Sequence, residues 1–405
     1  MITKRSRNDV FFLLLHLDNF EEMMTKNLLP LALGGLAIGT TEFVIMGLLP
    51  DVAKDLAISI PEAGHLISSY AAGVVVGAPL LVAYSVKHPP KKTLTALMII
   101  FTIFNALSAL APDYYSLMVV RFLSGLPHGA FFGVGTVVAV KLAKQGKQAQ
   151  AIAMMFSGLA AANLAMVPFV TFIGHNISWR IAFGVVSLLG LITIFSLKLW
   201  LPNIQPVATP NLKDDLKFFK SKKALNIIAI TAIGFGGLFA WFSYIAPYLT
   251  NIGGFSENSV SYIMILAGAG MVVGNYLGGF MADRMKPVLA AGILMLAMVL
   301  ILIAVFFFSD NKISVLLLTF GCGVLSMSVG TPINIMMLKA AKNSQMMGAA
   351  FMQASFNVAN SLGAFFGGIP LVYGLSFNYP SLVGAFMAFV GFLLIVAHYQ
   401  KSKAE

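Results

Sequence analysis

Twelve long apolar segments, nearly free of charge and separated by short polar stretches, constrain this chain more than any other feature. Each approaches the ~20 residues that a helix needs to cross about 30 Å of hydrocarbon. Lipid offers no hydrogen bonds to a bare backbone, so these runs are expected to be helices. A membrane β-barrel would show ten-residue segments of alternating polarity, and none is visible. The expected spans are 28–49, 63–84, 92–111, 114–141, 150–173 and 179–201, then 224–249, 258–281, 287–308, 313–338, 347–373 and 379–399. The fold class is therefore an all-α membrane protein with twelve transmembrane helices. A soluble alternative fails on composition, because only 10% of residues are charged against ~25% in soluble domains.

The basic residues are distributed unevenly. With twelve spans and both termini on one side, that side collects 22 of the 26 lysines and arginines. The other side holds Lys54, Arg180 and Lys312, and Arg121 lies inside a span. Excess positive charge marks cytoplasmic loops, which puts both termini in the cytoplasm. The net charge of +11 thus reads as a topology signal and not as a nucleic-acid surface. The longest internal polar stretch, 202–223, is expected to be a cytoplasmic linker. It divides a six-helix bundle at 28–201 from a second at 224–400, with a short tail at 401–405. Residues 1–27 read as an N-terminal extension, with translation from Met23 or Met24 as the alternative. The single cysteine, Cys322, excludes an intramolecular disulfide.

The halves repeat each other. A gapless shift of 197 residues lays Pro50 on Pro247, Ser59 on Ser256, and Ala72, Gly73 and Gly77 on Ala269, Gly270 and Gly274. The glycines and prolines carry more weight than the apolar matches, because they mark helix ends and close helix contacts.

Three segments carry a family resemblance. Gly279-Phe280-Met281-Ala282-Asp283-Arg284 is similar to the loop motif of major facilitator transporters, and its first-half counterpart reads Ala83-Tyr84-Ser85-Val86-Lys87 with Val86 where an acid is expected. The span-four run from Arg121 through Gly125, Gly129 and Gly133 resembles the drug:proton antiporter group. Its Gly-Leu-Pro-His-Gly-Ala-Phe-Phe core, the Gly39 to Pro50 segment and Asn163 to Pro168 resemble the sugar-efflux and purine-nucleoside-efflux branch. The resemblance covers residues 28–400. It implies two six-helix bundles, alternating access, a bacterial inner-membrane location and a monomer. It also implies proton-coupled export of a small solute such as a sugar or drug, with no cofactor.

Among fifteen acidic residues, Glu42 alone falls well inside a span. A charge at that depth costs several kcal/mol unless it is paired or solvated. Glu42 lies eight residues before Pro50 and Arg121 eight residues after Asp113, so both sit about 12 Å below the same boundary. Proton exchange at Glu42, tuned by Arg121, is the functional reading; a fixed buried pair or an Arg121 clamp on a backbone carbonyl is the alternative. His128 lies two turns beyond Arg121 on nearly the same face. A proton relay, a substrate hydrogen bond and simple packing all fit it. Span eleven carries Gln353, Asn357 and Asn360 at helical spacing. Gln353, Asn357, Asn163 and Tyr244 are the substrate-binding candidates, although membrane amides also tie helices together and aromatic side chains also fill cores. Gly125, Gly129 and Gly133, Pro168, and Gly279 with Asp283 and Arg284 are the candidates for conformational change.

The leading expectation is a secondary transporter acting on a small-molecule substrate and protons within the lipid bilayer. An importer, a uniporter and a non-transporting receptor or scaffold remain alternatives. No paired carboxylates, metal-ligand spacing or phosphate-binding loop is present to indicate an enzyme, a metal site or an ATP-driven pump.

Overall fold

The computed structural model describes residues 26–85, 87–145, 147–205, 221–341 and 345–404. The expected linker residues 206–220, Val86 and residues 1–25 of the expected extension lie outside them. Every regular element among the described residues is helical. In the first half, α1 is Leu29–Gly47, extended after a break at Leu48 by the short helix Leu49–Asp55. Then follow α2 (Ile60–Ser85), α3 (Pro90–Leu110) and α4 (Tyr114–Leu142). α5 is Gln148–Ala161 and Val167–Asn176 around a π-helical turn at Ala162–Met166, and α6 is Trp179–Trp200. In the second half, α7 runs Lys222–Ala229, a π turn Ile230–Phe235, then Gly236–Phe242. It resumes as Ile245–Pro247 and a second π turn, Tyr248–Ile252. The remaining spans are α8 (Glu257–Arg284), α9 (Pro287–Phe307), α10 (Lys312–Ala340), α11 (Gln345–Val372) and α12 (Tyr379–Ala404).

Eleven of these spans are long and apolar enough to cross a membrane by composition alone. The exception is α11, which Gln353, Asn357 and Asn360 make less apolar. The twelve expected spans are present, but spans one, five and seven are interrupted. The breaks at Leu48, at Ala162–Met166 and after Phe242 fall near Pro50, Pro168 and Pro247, residues that cannot donate a backbone N–H, whereas the π turn at Ile230–Phe235 has no proline beside it. π turns of this kind recur at functional sites.

Each half is a six-helix bundle, and each contains a seam where backbones nearly touch. A Cβ at Gly73 would lie 2.0 Å from the carbonyl oxygen of Phe122, and one at Gly125 would lie 2.2 Å from that of Tyr70. These contacts join α2 to α4. The α8–α10 seam repeats them, with Gly270 at 2.4 Å from the carbonyl of Phe320 and Gly323 at 2.2 Å from that of Ala267. No side chain fits in either place. The repeat seen in sequence is thus a repeat of packing, offset by 197 residues between α2 and α8 and by 198 between α4 and α10.

The bundles meet through α2 against α11 and α5 against α8. Ser68 donates to the carbonyl of Ser361 at 3.1 Å, and the ring of Phe43 on α1 stacks with Phe239 on α7 at 6.5 Å. Gly268 on α8 abuts the carbonyl of Asn163 on α5, where a Cβ would stand at 2.5 Å. These contacts lie nearer the face whose loops carry Lys54, Arg180 and Lys312. On the lysine-rich side, Phe351 and Ala354 of α11 extend the apolar core of the first bundle.

Trp179 and Trp200 stand at opposite ends of α6, where an indole commonly anchors a helix at the bilayer interface. Trp179 is instead buried and donates its indole N–H to Asp55 at 3.0 Å. Arg180 bonds the same carboxylate and holds the Asp55 carboxyl below the usual carboxylate range. That pins the short helix after α1 to the start of α6.

Candidate functional site

α1 is the most enclosed helix of the first bundle, with sixteen of its nineteen residues buried. A helix apolar on every side belongs in a core, so the polar pair Thr41–Glu42 enters the protein interior with it. α4 begins at a cap in which Asp113 accepts from the backbone N–H of Ser116 at 3.0 Å. That hydrogen bond holds the Asp113 carboxyl below its usual range. It also sets the depth of Arg121 two turns further on. Both expected depths therefore converge inside one bundle.

Arg121 is completely buried. Its Nη1 donates to Thr41 Oγ1 at 3.0 Å and its Nη2 to the Thr41 carbonyl at 3.2 Å. The guanidinium lies 4.4 Å from the centre of the Tyr70 ring and 5.3 Å from that of Phe183, close enough for cation–π attraction. Its Nε has no partner. Glu42 and Arg121 act on each other electrostatically, yet no ion pair joins them among the described residues. The clamp on a backbone carbonyl, the alternative reading of Arg121, is present in this conformation.

The cluster reaches further than the two charges. Thr41 Oγ1 donates to Asn105 Oδ1 at 2.5 Å, and Asn105 Nδ2 donates to the Phe101 carbonyl at 2.8 Å. Tyr70 Oη and His128 Nδ1 are 3.1 Å apart. Tyr70 thus touches Arg121 with its ring and His128 with its hydroxyl, which ties the two residues predicted to share a face. Tyr70, Thr41 and Asn105 were not among the sequence candidates. They carry no charge, and uncharged polar residues are common in membrane helices. The Thr-Thr-Glu run of α1 was the one available hint.

The other candidates scatter. Tyr244 is buried and donates its hydroxyl to the Ala364 carbonyl at 2.7 Å, so its hydroxyl is committed inside the second bundle. Asn357 places Nδ2 on the Gln353 carbonyl at 3.0 Å and leaves Oδ1 without a partner. Asn163 bonds the Leu159 carbonyl at 3.0 Å within the π turn of α5, and Pro168 opens the helical piece that follows. Gly129 faces Ala78 across the α2–α4 seam, and Gly133 is buried one turn beyond. At the end of α8, Gly279 has open space around it, Asp283 is exposed, and Arg284 stacks over Phe280 at 4.0 Å. No ion pair of Asp283 is present among the described residues.

Residues 31–368 match the profile described as Major Facilitator Superfamily. The chain belongs to the major facilitator superfamily. The inner membrane transport protein YdhP of Escherichia coli (strain K12) is 39% identical over 374 residues, which is 92% of this chain and 96% of that protein. A chloramphenicol resistance protein of Streptomyces lividans is 30% identical over 340 residues, 82% of this chain and 86% of that one. The crystal structure of a D-xylose-proton symporter matches with a TM-score of 0.75 at 16% identity, covering 91% of this chain and 96% of that one. The last likeness is one of fold alone. This major facilitator protein is a multi-pass inner-membrane transporter of small solutes and not an enzyme.

Proposed function

We propose that this transporter exports a small organic solute, of sugar, nucleoside or drug-like kind, in exchange for protons. The observation that carries the reading is the buried carboxyl of Glu42, set in electrostatic reach of the clamped Arg121 guanidinium. An acid at that depth costs several kcal/mol if ionised without compensation. It therefore tends to load and unload a proton as its surroundings change.

Alternating access supplies that change. The bundles at 28–201 and 224–400 rock about a substrate site near the bilayer midplane, as the family's architecture favours. Arg121 holds Thr41 in the present conformation, and its unpartnered Nε is available to stabilise ionised Glu42 in another. His128, bonded to Tyr70, completes the path as a relay or a spacer. Gln353, Asn357 and Asn163 offer amide groups to the solute, and Tyr244 offers a ring face. The lysine-rich face is cytoplasmic, as the distribution of basic residues supports. The relative named for chloramphenicol resistance favours export over import.

The test is reconstitution in vesicles with internal pH recorded while sugars, nucleosides and hydrophobic cations are supplied. Solute-triggered proton movement that disappears in Glu42→Gln is the expected result. Solute flux with no proton movement would reduce the protein to a facilitative carrier and Glu42 to a structural acid.

A further inference from the structure

The membrane-facing side of the first bundle carries two apolar rows that each end in a lysine. On α3, Ile99, Ile103 and Leu107 form one exposed row, and on α6 Leu188, Leu191 and Phe195 form the other. The two helices are in contact along their length. Ser187 Oγ donates to the Thr102 carbonyl at 3.0 Å near the middle. At the lysine-rich end, Lys91 Nζ donates to the carbonyls of Lys198 at 2.8 Å and Leu201 at 2.6 Å. The start of α3 thus meets the end of α6, and this antiparallel pairing turns both rows to the same side of the contact. Lys92 continues the first row at helical spacing and Lys198 the second, and both are exposed. Lys91 is committed to the last carbonyls of α6. Among the described residues, neither Lys92 nor Lys198 is paired with an acid.

The rows are about one leaflet deep. From Lys92 to Ile103, and from Lys198 to Leu188, the helices rise roughly 15 Å, half of the ~30 Å hydrocarbon core. Lipid exposure by itself does not call for the lysines. The second bundle repeats the α3 row at the 197-residue shift, with exposed Leu296 and Leu300 matching Ile99 and Ile103. There, exposed Leu289 stands where α3 has Lys92, and Val288 where it has Lys91. Asp283 precedes α9, whereas Val86 takes the equivalent place before α3. Nor is the charge of the first bundle opposed. Between Ala63 and Lys213 the single acidic residue is Asp113, at the far end of α4.

We propose that the furrow between α3 and α6 binds an anionic glycerophospholipid of the leaflet on the lysine-rich side. Its phosphodiester lies between the ammonium groups of Lys92 and Lys198, whose apolar stems follow the helix surface to headgroup level. Its acyl chains cover the two apolar rows. A zwitterionic lipid offers the same phosphate but carries its own cation, which the two lysines repel, so the site sorts lipids by headgroup charge. Bound there, the lipid braces the start of α3 against the end of α6, beside the contact that Lys91 already makes.

The experiment titrates the purified full chain in detergent with phosphatidylglycerol or with phosphatidylcholine of the same acyl chains, and counts bound lipid by native mass spectrometry. Each lysine should contribute about fivefold, so the first phosphatidylglycerol should bind at least ~10-fold more tightly than the first phosphatidylcholine. Lys92→Gln and Lys198→Gln should each cut that preference about fivefold. The double variant should lose it and bind phosphatidylcholine as the wild type does. Both positions are exposed, so the melting temperature in phosphatidylcholine should stay at the wild-type value. Lys144→Gln combined with Lys339→Gln removes the same charge from exposed positions elsewhere on this face and should leave the preference intact. A preference that survives in the Lys92 and Lys198 double variant would overturn the site. An equal loss in the Lys144 and Lys339 pair would also overturn it, as an effect of diffuse surface charge. Equal binding of the two lipids by the wild type would do the same.

Discussion

Where α2 crosses α4, the carbonyls of Tyr70, Phe122 and Leu126 press on Gly125, Gly73 and Gly77; where α8 crosses α10, those of Ala267, Phe320 and Val324 press on Gly323, Gly270 and Gly274. Even the caps correspond, with Asp113 opening α4 and Asn311 opening α10. The chemistry does not correspond. By the same offsets, Glu42 faces its counterpart Phe239, Tyr70 its counterpart Ala267, and Arg121 its counterpart Thr319. Backbone approach is a demand of the architecture and must be met in both halves. Buried charge is costly, so it is confined to one half, where Thr41, Tyr70 and Phe183 can compensate it.

This contrast breaks if the two seams respond differently to a side chain. Gly77→Leu and Gly274→Leu should both abolish monodisperse protein on size-exclusion chromatography, because a Cβ alone would sit 2.1 Å from the Leu126 carbonyl and 1.9 Å from the Val324 carbonyl. Loss in one half only would show that the seams are not equivalent.

The functional half of the contrast is sharpened by Arg121→Leu against Thr319→Val. The first should lower solute-driven proton exchange by ~100-fold or more, the scale of a buried charge-assisted contact worth about 3 kcal/mol. The second should leave exchange unchanged. It should also leave the melting temperature unchanged or raised, since Thr319 Oγ1 is buried without a partner.

A smaller effect is expected from Tyr70→Phe, which keeps the ring under Arg121 and removes the hydroxyl bonded to His128. Exchange should fall about fivefold, near the net worth of one hydrogen bond. The same loss in a His128→Gln background would show that the hydroxyl acts independently of the histidine.

The smallest effect separates the caps. Asp113→Ala and Asn311→Ala should each lower the melting temperature slightly at neutral pH. Only the Asp113 contribution should depend on pH. Its carboxyl is held below the ordinary range by the Ser116 N–H, so its stabilisation is complete above the unfolded value of about 3.9. It fades as pH falls through the folded one. Melting of the two variants across that acid range would converge with wild type for Asp113→Ala alone.

The spans, their pairing into halves and the rarity of Glu42 and Arg121 were legible in the sequence because each is a local property. Crossing lipid requires length and apolarity, close helix contact requires glycine, and an intramembrane charge stands out by type. Tertiary structure decided what those charges touch. It gave Arg121 to Thr41 and Tyr70 ahead of Glu42, committed the Tyr244 hydroxyl to Ala364, and tied Tyr70 to His128. Uncharged polar residues are common in such helices, and which of them meet depends on how each helix is rotated and on which side the bundles close. Those are set by packing among residues far apart in the chain, which local sequence does not encode.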